Sequence, residues 1–212
     1  MKQVFIVGAG GFGREMLAWL RQHPACGRDW TVAGFIDDNP DALASFAMDV
    51  PLVGSVDAFQ VQSVHCFVCA LGQPVVKRRI TDRLRARGAR FMSFVHPSAV
   101  VGERVRLGEG VVICPGVILT ADIEVGSFAA INCAASAGHD CRIGAYATIS
   151  GHVDLTSRTH VGAGVFIGSH AVLAPGVRVG EAALVGAGSV VLNPVREGAT
   201  VFGNPARPVR EV

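Results

Sequence analysis

A six-residue repeat occupies the second half of the 212-residue sequence and limits the folds open to it. Every sixth residue from Val95 to Val191 is aliphatic, and a glycine follows directly at many of these steps, as at Gly102 and Gly144. A chain that turns after each short strand stacks such residues into one column, which forms the core of a parallel β-helix. The repeat therefore predicts a β-helix with aliphatic side chains inside and glycines at its corners.

The first half of the sequence follows a different period. An apolar strand, a glycine turn and an amphipathic helix lie within KQVFIVGAGGFGREMLAWLRQH, and two further strands follow in TVAGFIDD and VHCFVCALG. This order predicts a small α/β domain of the βαβ, Rossmann-like kind. The period changes near FVHPSAV, so we expect two domains, residues 1–92 and residues 93–212.

The glycine turn of the first domain has the spacing of a nucleotide-binding motif. Gly8, Gly10 and Gly13 form G-x-G-x-x-G directly after a strand, where backbone N–H groups at a helix start can approach phosphate. Asp37 and Asp38 end the second strand, where an acid that binds ribose would lie. We interpret the turn as a site for a nucleotide sugar. Hydride transfer with a nicotinamide cofactor is the alternative, but the rest of the chain offers no substrate domain for it.

Composition excludes several classes of protein. The formal net charge of +2 is too small to indicate a nucleic-acid partner. Because no apolar run approaches the length of a membrane span and the N-terminus reads as a strand, we expect a cytoplasmic protein without membrane insertion. The cysteines lack the spacing of a disulfide scaffold or a zinc site, so we expect free thiols and no metal. They are Cys26, Cys66, Cys69, Cys114, Cys133 and Cys141.

Four histidines interrupt the repeat, and one of them has the surroundings of a general base. His139 lies in the middle of the predicted β-helix and is followed directly by Asp140. A carboxylate beside an imidazole fixes its orientation and raises its basicity, as a base that deprotonates a hydroxyl or amine requires. His139 is therefore the candidate catalytic residue, and we expect His152, His160 and His170 to be exposed or at an interface.

Six short motifs in a fixed order connect the whole chain with a known family. They are GAGGFG, FIDD, ALG, HPSA, GHDCRIG and GNPA, from Gly8 to Ala206. In these the chain resembles the two-domain hexapeptide-repeat sugar acyltransferases. That family includes enzymes of the sialic acid O-acetyltransferase type and the bacillosamine-pathway and perosamine N-acetyltransferases.

The resemblance implies a left-handed parallel β-helix with three hexads in each coil, hence five to six coils. It also implies a homotrimer with active sites between subunits and acetyl-CoA as co-substrate. His139 would be the base, with Asp140 as its acidic partner, and the acetyl group would pass directly from the thioester to a sugar. Because the N-terminal domain resembles that of the enzymes acting on nucleotide-linked amino sugars, the resemblance favours the amino group of a nucleotide-linked 4-amino-4,6-dideoxy sugar as the acceptor. Sugar O-acetylation, or a solenoid that binds a nucleotide sugar without catalysis, are the alternatives.

The resemblance also implies two sets of binding residues. The nucleotide sugar would contact Gly10, Gly11, Phe12, Asp37, Asp38 and Gly72. Acetyl-CoA would lie near Thr148, Ser157, Ser169 and Ala187. Ser157 is eighteen residues beyond His139, so its backbone N–H is the candidate donor to the thioester oxygen. Phe12 and Thr148 stand where relatives often carry histidine, which leaves the identity of the sugar open.

Overall fold

The computed structural model describes residues 1–209 and begins with a small α/β domain. Its three parallel strands stand in the order β2, β1, β3, and the two helices follow β1 and β3. The predicted βαβ arrangement is therefore confirmed. The elements are β1 (Lys2–Val7), α1 (Gly11–Gln22), β2 (Trp30–Ile36), β3 (His65–Cys69) and α2 (Pro74–Ala86).

Helix α2 is an element that the sequence analysis did not predict. It begins at Pro74, a residue suited to the first helical turn because that turn leaves its N–H groups unpaired. Val76, Ile80 and Leu84 recur at four-residue spacing and give the helix an apolar side, with Ile80 and Leu84 buried. This spacing is the signal that would have revealed the helix among its many arginines.

The second half of the chain forms seventeen strands of two residues each, followed by a longer strand and a short return strand. The strands are β4 (Phe94–Val95), β5 (Val100–Val101), β6 (Arg106–Leu107), β7 (Val112–Ile113), β8 (Ile118–Leu119), β9 (Glu124–Val125), β10 (Ala130–Ile131), β11 (Ser136–Ala137), β12 (Arg142–Ile143), β13 (Thr148–Ile149), β14 (Asp154–Leu155), β15 (His160–Val161), β16 (Phe166–Ile167), β17 (Val172–Leu173), β18 (Arg178–Val179), β19 (Leu184–Val185), β20 (Val190–Val191), β21 (Thr200–Phe202) and β22 (Arg207–Pro208).

These strands stack into three parallel sheets, which form the faces of a triangular prism. Face 1 contains β4 and every third strand up to β19, then β21; face 2 runs from β5 to β20, and face 3 from β6 to β18. From β4 to β20 each paired strand lies eighteen residues from its partner, so three strands make one coil, and the pairing of β19 with β21 shortens this step to sixteen residues. A bridge from Val179 to Val195 continues face 3 and completes the sixth coil. The predicted parallel β-helix is confirmed.

Glycines are needed at the corners of the β-helix because of the spacing between coils. A Cβ on Gly144 would lie 2.5 Å from the backbone nitrogen of Ala163 in the next coil, so the glycine is needed because adjacent coils approach closely. The left-handed backbone conformation that turns each corner falls two residues later and is often adopted by residues other than glycine, such as Asp140 and Tyr146. The predicted glycines do stand at the corners, where the close approach of the next coil leaves no room for a side chain.

The α/β domain covers the lower part of face 1. The outward side chains of the first four strands of this face, Phe94, Val112, Ala130 and Thr148, are each at most 2% exposed. In the coils above, Leu184 is 41% exposed. Gln22 Oε1, at the end of α1, lies 3.0 Å from His96 Nε2 in the first coil. The domain therefore docks on the β-helix through a buried surface and does not hang from a linker.

A single buried lysine links the two domains. Lys77, in the first turns of α2, is 1% exposed, and its ammonium group donates to Thr148 Oγ1 at 2.9 Å, to the Ala147 carbonyl and to the Tyr146 carbonyl. Within residues 1–209 no carboxylate forms an ion pair with it. Burial lowers the pKa of Lys77 from 10.5 to about 8, with the nearby Cys69 opposing that shift.

Replacing Lys77 should change how the stability of the fold depends on pH. Since the folded-state pKa lies below that of the unfolded chain, the folded protein holds fewer protons between pH 8 and 10.5. The free energy of unfolding should therefore rise across that window by up to about 3 kcal/mol. Urea denaturation at several pH values should show this rise for wild type and for Lys2→Met, the exposed control, but not for Lys77→Met. An equal rise in Lys77→Met would contradict the assignment.

Candidate active site

The candidate base stands on an exposed corner of the β-helix. His139 and Asp140 occupy the turn between β11 on face 2 and β12 on face 3, here called the 2/3 corner. His139 Nδ1 lies 2.7 Å from Asp140 Oδ2, and the imidazole is 54% exposed. If Nδ1 carries the proton and donates to the carboxylate, Nε2 is left as an acceptor directed away from Asp140. The pair can therefore accept a proton from a group brought to this corner.

One coil above, the same corner presents an unused backbone donor. Arg158 N–H donates to the His139 carbonyl at 2.9 Å, which fixes the register of the two turns. The neighbouring Ser157 N–H has no acceptor within residues 1–209. A Cβ on Gly138 would lie 2.7 Å from Ser157 N, so only glycine there leaves the amide in this position. The corner thus combines a proton acceptor with a free N–H donor one coil away.

The glycine turn leaves open space at the start of α1. Gly8 has a φ of 102°, and a Cβ on Gly13 would collide with the Gly8 carbonyl, so both are needed for the turn itself. Gly10 and Gly11 meet no atom within 4 Å of an added Cβ. Because no side chain caps this helix end, its first N–H groups are available to an anion.

Two aspartates frame a small cavity beside the glycine turn. Asp37 Oδ2 accepts the Ala9 N–H at 2.7 Å, and Asp38 Oδ1 accepts the Val56 N–H at 2.9 Å. Both residues line a cavity of about 150 Å³ at the carboxyl ends of the three strands, where open parallel sheets bind ligands. Both carboxylates accept hydrogen bonds from backbone N–H groups of the loops around the cavity. They would therefore affect a ligand by fixing the positions of those loops.

The position of Thr148 does not fit its expected role as a coenzyme contact. Its side chain is 2% exposed, because the α/β domain covers it. Its hydroxyl donates to the Gly72 carbonyl at 2.7 Å and accepts from Lys77. The hydroxyl is buried and uses its donor and one acceptor position within the chain, so it does not face a coenzyme in this arrangement. The contact instead ties the turn after β3 to the fourth coil. Sequence reasoning gave no signal for the docking that buries it.

The remaining expected coenzyme contacts lie on two separate corners. Ser157 is on the 2/3 corner, whereas Ser169 and Ala187 follow strands of face 1 and lie on the 1/2 corner, between faces 1 and 2. Face 2 separates the two groups. A single chain therefore does not bring Ser157 together with Ser169 and Ala187.

The candidate base and the candidate nucleotide site also stand apart within one chain. The α/β domain covers face 1, and the 2/3 corner is the edge of the prism opposite that face. The two features are nevertheless at similar heights, since Gly72 contacts β13, one coil above the coil of His139. Phe12, in the glycine turn, packs against Trp19 with ring centroids 6.2 Å apart. Of the other histidines in the repeat, His152 and His170 stack on each other at the 1/2 corner.

Family models match both halves of the chain. The PglD N-terminal domain matches residues 3–84. The hexapeptide repeat of succinyl-transferase matches residues 135–167, and the bacterial transferase hexapeptide matches residues 158–193. A part of the chain between the two groups, residues 85–134, is covered by none of these three matches.

Two sugar N-acetyltransferases are similar to part of the chain. GDP-perosamine N-acetyltransferase of Escherichia coli is 30% identical over 148 residues, covering 64% of this chain and 62% of the relative. UDP-N-acetylbacillosamine N-acetyltransferase of Bacillus subtilis is 30% identical over 127 residues, covering 53% and 51%. The matched regions thus span less than two thirds of these relatives' own lengths.

A solved structure extends the similarity over the full chain. An asparagine-for-histidine variant of perosamine N-acetyltransferase from Caulobacter crescentus, in complex with CoA and GDP-perosamine, is 33% identical. The match covers 100% of this chain and 98% of that chain, with a TM-score of 0.89. The chain belongs to the two-domain hexapeptide-repeat sugar acyltransferases, and the family resemblance seen in the sequence motifs is confirmed. The Rossmann-like domain followed by the family's left-handed β-helix is confirmed with it.

Removing the Asp37 carboxylate should weaken nucleotide binding at the glycine turn. Asp37→Ala removes the acceptor of the Ala9 N–H, so the turn loses the contact that holds its N–H groups in position. We expect the Kd of GDP or UDP to rise about fivefold to thirtyfold, in line with the loss of a hydrogen bond to a charged group. The Kd of CoA should stay within about twofold, and titration calorimetry measures both.

The matched control is Asp41→Ala, which removes an exposed carboxylate from the same loop. A variant Asp37→Ala that loses CoA affinity and keeps nucleotide affinity would show that the two binding regions are assigned the wrong way round.

Proposed function

We propose that the protein transfers an acetyl group from acetyl-CoA to the amino group of a nucleotide-linked 4-amino-4,6-dideoxy sugar. The observation that carries this proposal is the hydrogen bond between His139 Nδ1 and Asp140 Oδ2 on an exposed corner, beneath a free backbone N–H. An oriented imidazole beside an oxyanion donor is the minimum machinery for acyl transfer to an amine. The relatives are named as a GDP-perosamine N-acetyltransferase and a UDP-N-acetylbacillosamine N-acetyltransferase, which supports the same chemistry.

The proposed mechanism is direct transfer. The sugar amine attacks the thioester carbonyl while His139 Nε2 takes a proton from the amine nitrogen. Negative charge develops on the thioester oxygen, where the Ser157 N–H donates a hydrogen bond. The tetrahedral intermediate then collapses by breaking the carbon–sulfur bond, and the imidazolium returns its proton to the CoA thiolate. Asp140 stabilises the imidazolium and holds the ring in the tautomer that exposes Nε2.

We assign the nucleotide sugar to residues 1–92 and the transfer step to the β-helix from residue 93 onwards. The open first turn of α1, at Gly10 and Gly11, would receive the phosphates, and the cavity bounded by Asp37, Asp38 and Leu71 would receive the rest of the nucleotide. The turn at Gly72 belongs to the same edge of the sheet and is held by Thr148. Its position would therefore be fixed relative to the coils that carry the chemistry.

We also propose that the active protein is a homotrimer in which each site is shared. The three faces differ: the α/β domain covers face 1, face 3 carries a column of charged residues, and face 2 exposes Val100 and Ile118, 58% and 46% exposed. Face 2 is thus the face best suited to pack against copies of itself around a threefold axis. Such packing would bring the 2/3 corner of one chain to the 1/2 corner of the next, uniting His139 and Ser157 with a neighbour's Ser169 and Ala187.

Replacing the proposed base should abolish turnover and spare binding. His139→Asn keeps a polar side chain of similar size but removes the proton acceptor, so kcat should fall about a hundredfold to ten-thousandfold. Asp140→Asn should cause a smaller loss, because the imidazole remains and only its orientation and basicity suffer.

The measurement is CoA release with GDP-, UDP- and dTDP-linked 4-amino sugars, combined with mass spectrometry of the acetylated product. Circular dichroism and light scattering should show an unchanged fold and three chains per particle for both variants. Near wild-type turnover by His139→Asn on the best substrate would place the base elsewhere.

A further inference from the structure

The charges on face 3 change character at the level of the candidate base. Below His139, each arginine at the outer edge has an acid eighteen residues away. Arg104 Nε lies 2.6 Å from Asp122 Oδ1. Glu124 forms ion pairs with both Arg106 and Arg142. Pairs eighteen residues apart form because strands in successive coils lie about 4.8 Å from each other. The lower coils therefore neutralise their own cations.

Above His139 the cations have no such partners. Arg158, at the 2/3 corner, and Arg178, on face 3, form no ion pair within residues 1–209. His160 lies between them, one coil below Arg178 in the β15–β18 pairing. The acid eighteen residues before Arg158 is Asp140, but its carboxylate is directed to His139. Because Asp140 forms its hydrogen bond with His139, it does not neutralise Arg158 in the coil above.

These unpaired cations surround a cavity beside the candidate base. Its volume is about 440 Å³. Arg158, His160, Gly176 and Arg178 line its upper part, and Asp122, Asp140 and Arg142 line its lower part. A volume of this size suits part of a small-molecule ligand. The guanidinium group presents a planar set of N–H donors that matches the oxygens of a phosphate, and two such groups in adjacent coils can hold neighbouring oxygens.

The distance from the reacting atom favours one source of phosphate. The part of the cavity above Asp140 extends over the next two coils, hence about 10 Å along the axis. CoA carries its phosphates at the far end of the long pantetheine arm, whereas a nucleotide sugar carries its diphosphate across a single sugar ring from the 4-amino group. A sugar placed against His139 therefore brings its diphosphate to this height.

We propose that Arg158, His160 and Arg178 form a phosphate-binding site that receives the diphosphate of the nucleotide sugar while its sugar ring lies against His139. The inference rests on the proposed function and adds a second contact for the substrate. In the shared site, the glycine turn of one chain holds the nucleotide from one side, and the β-helix of the neighbouring chain binds the same diphosphate from the other. The acetyl acceptor is thereby oriented by the chain that supplies the base.

Binding measurements on the complete protein test this site without requiring turnover. Titration calorimetry with GDP and UDP should show that Arg158→Gln and Arg178→Gln each raise the Kd of the better ligand about fivefold to thirtyfold. The Kd values of CoA and of dephospho-CoA, which lacks the 3′-phosphate, should stay within about twofold of wild type. Binding of the diphosphate should also weaken with added salt, more in the wild type than in the variants.

The matched control is Arg106→Gln, which removes an exposed arginine from the same face whose charge is already paired with Glu124. It should leave all of these affinities unchanged. Because the three arginines lie on the surface, circular dichroism should report the wild-type fold for each variant.

Each other outcome overturns the proposal in a recognisable way. If the wild type bound neither GDP nor UDP, or if the variants kept the wild-type affinities, the arginines would be solvated surface residues and would form no phosphate site. A loss of affinity for CoA but not for dephospho-CoA would assign the cluster to the 3′-phosphate of the coenzyme. Dissociation of the oligomer in Arg158→Gln or Arg178→Gln would mean that these cations pair with acids of a neighbouring chain.

Failure of this site and failure of the proposed function are distinguishable. Unchanged diphosphate affinity in the variants, together with acetyl transfer that depends on His139, would remove the site and keep the function. Diphosphate binding that depends on Arg158 and Arg178, in a protein that transfers no acetyl group, would keep the site and remove the function.

Discussion

The close stacking of successive coils determines where every functional group of the β-helix stands. Backbone hydrogen bonds between strands eighteen residues apart set the coil spacing, and glycines such as Gly144 allow the turns to approach to that distance. Any residue at a corner is therefore repeated, one coil higher, by the residue eighteen positions later. His139 and Ser157 form one such pair, so the proton acceptor and the free N–H donor have a fixed separation that no loop can relax.

Domain docking supplies the second constraint. Lys77 and Thr148 connect the turn at Gly72 with the fourth coil through buried hydrogen bonds, and a buried ammonium without a carboxylate partner is stable only while all its acceptors remain in place. The α/β domain is thus held on the face opposite the 2/3 corner. This arrangement separates the two halves of the proposed site within a chain and explains why the account requires a neighbouring chain to complete it.

The sequence predicted the parts of the structure that depend on local periodicity. The six-residue register from Val95 to Val191 defined the strands, because each coil repeats the same physical environment. The hydrogen bond between His139 and Asp140 joins neighbours in the chain and so was also accessible. The burial of Thr148 was not, since it depends on how two domains meet. The sequence also indicated glycines at the corners, but not whether a steric limit between coils or a left-handed turn selects them, since both favour glycine.

Some of what was missed left a readable signal. Helix α2 has apolar residues at four-residue spacing, and the charge pairs on face 3 follow the eighteen-residue register, as Arg104 and Asp122 do. Applying that register to charges as well as to aliphatic residues would have shown that Arg178 has no acid in the coil below it, where His160 stands instead. Lys77 gave no comparable signal, because nothing in its local sequence indicates that it is buried.

The central claim is that each active site combines His139 of one chain with the glycine turn of another, and mixed oligomers test it most directly. His139→Asn removes the base, and Gly11→Trp blocks the open space at the start of α1 without meeting a protein atom near the new Cβ. Each variant alone should be inactive. Refolding equal amounts together should restore about one quarter of wild-type activity. At each shared interface one chain must supply an intact His139 and the next an intact Gly11, and each of these conditions is met in about half of the cases. A mixture no more active than the separate variants would contradict the shared site and place the whole reaction within one chain.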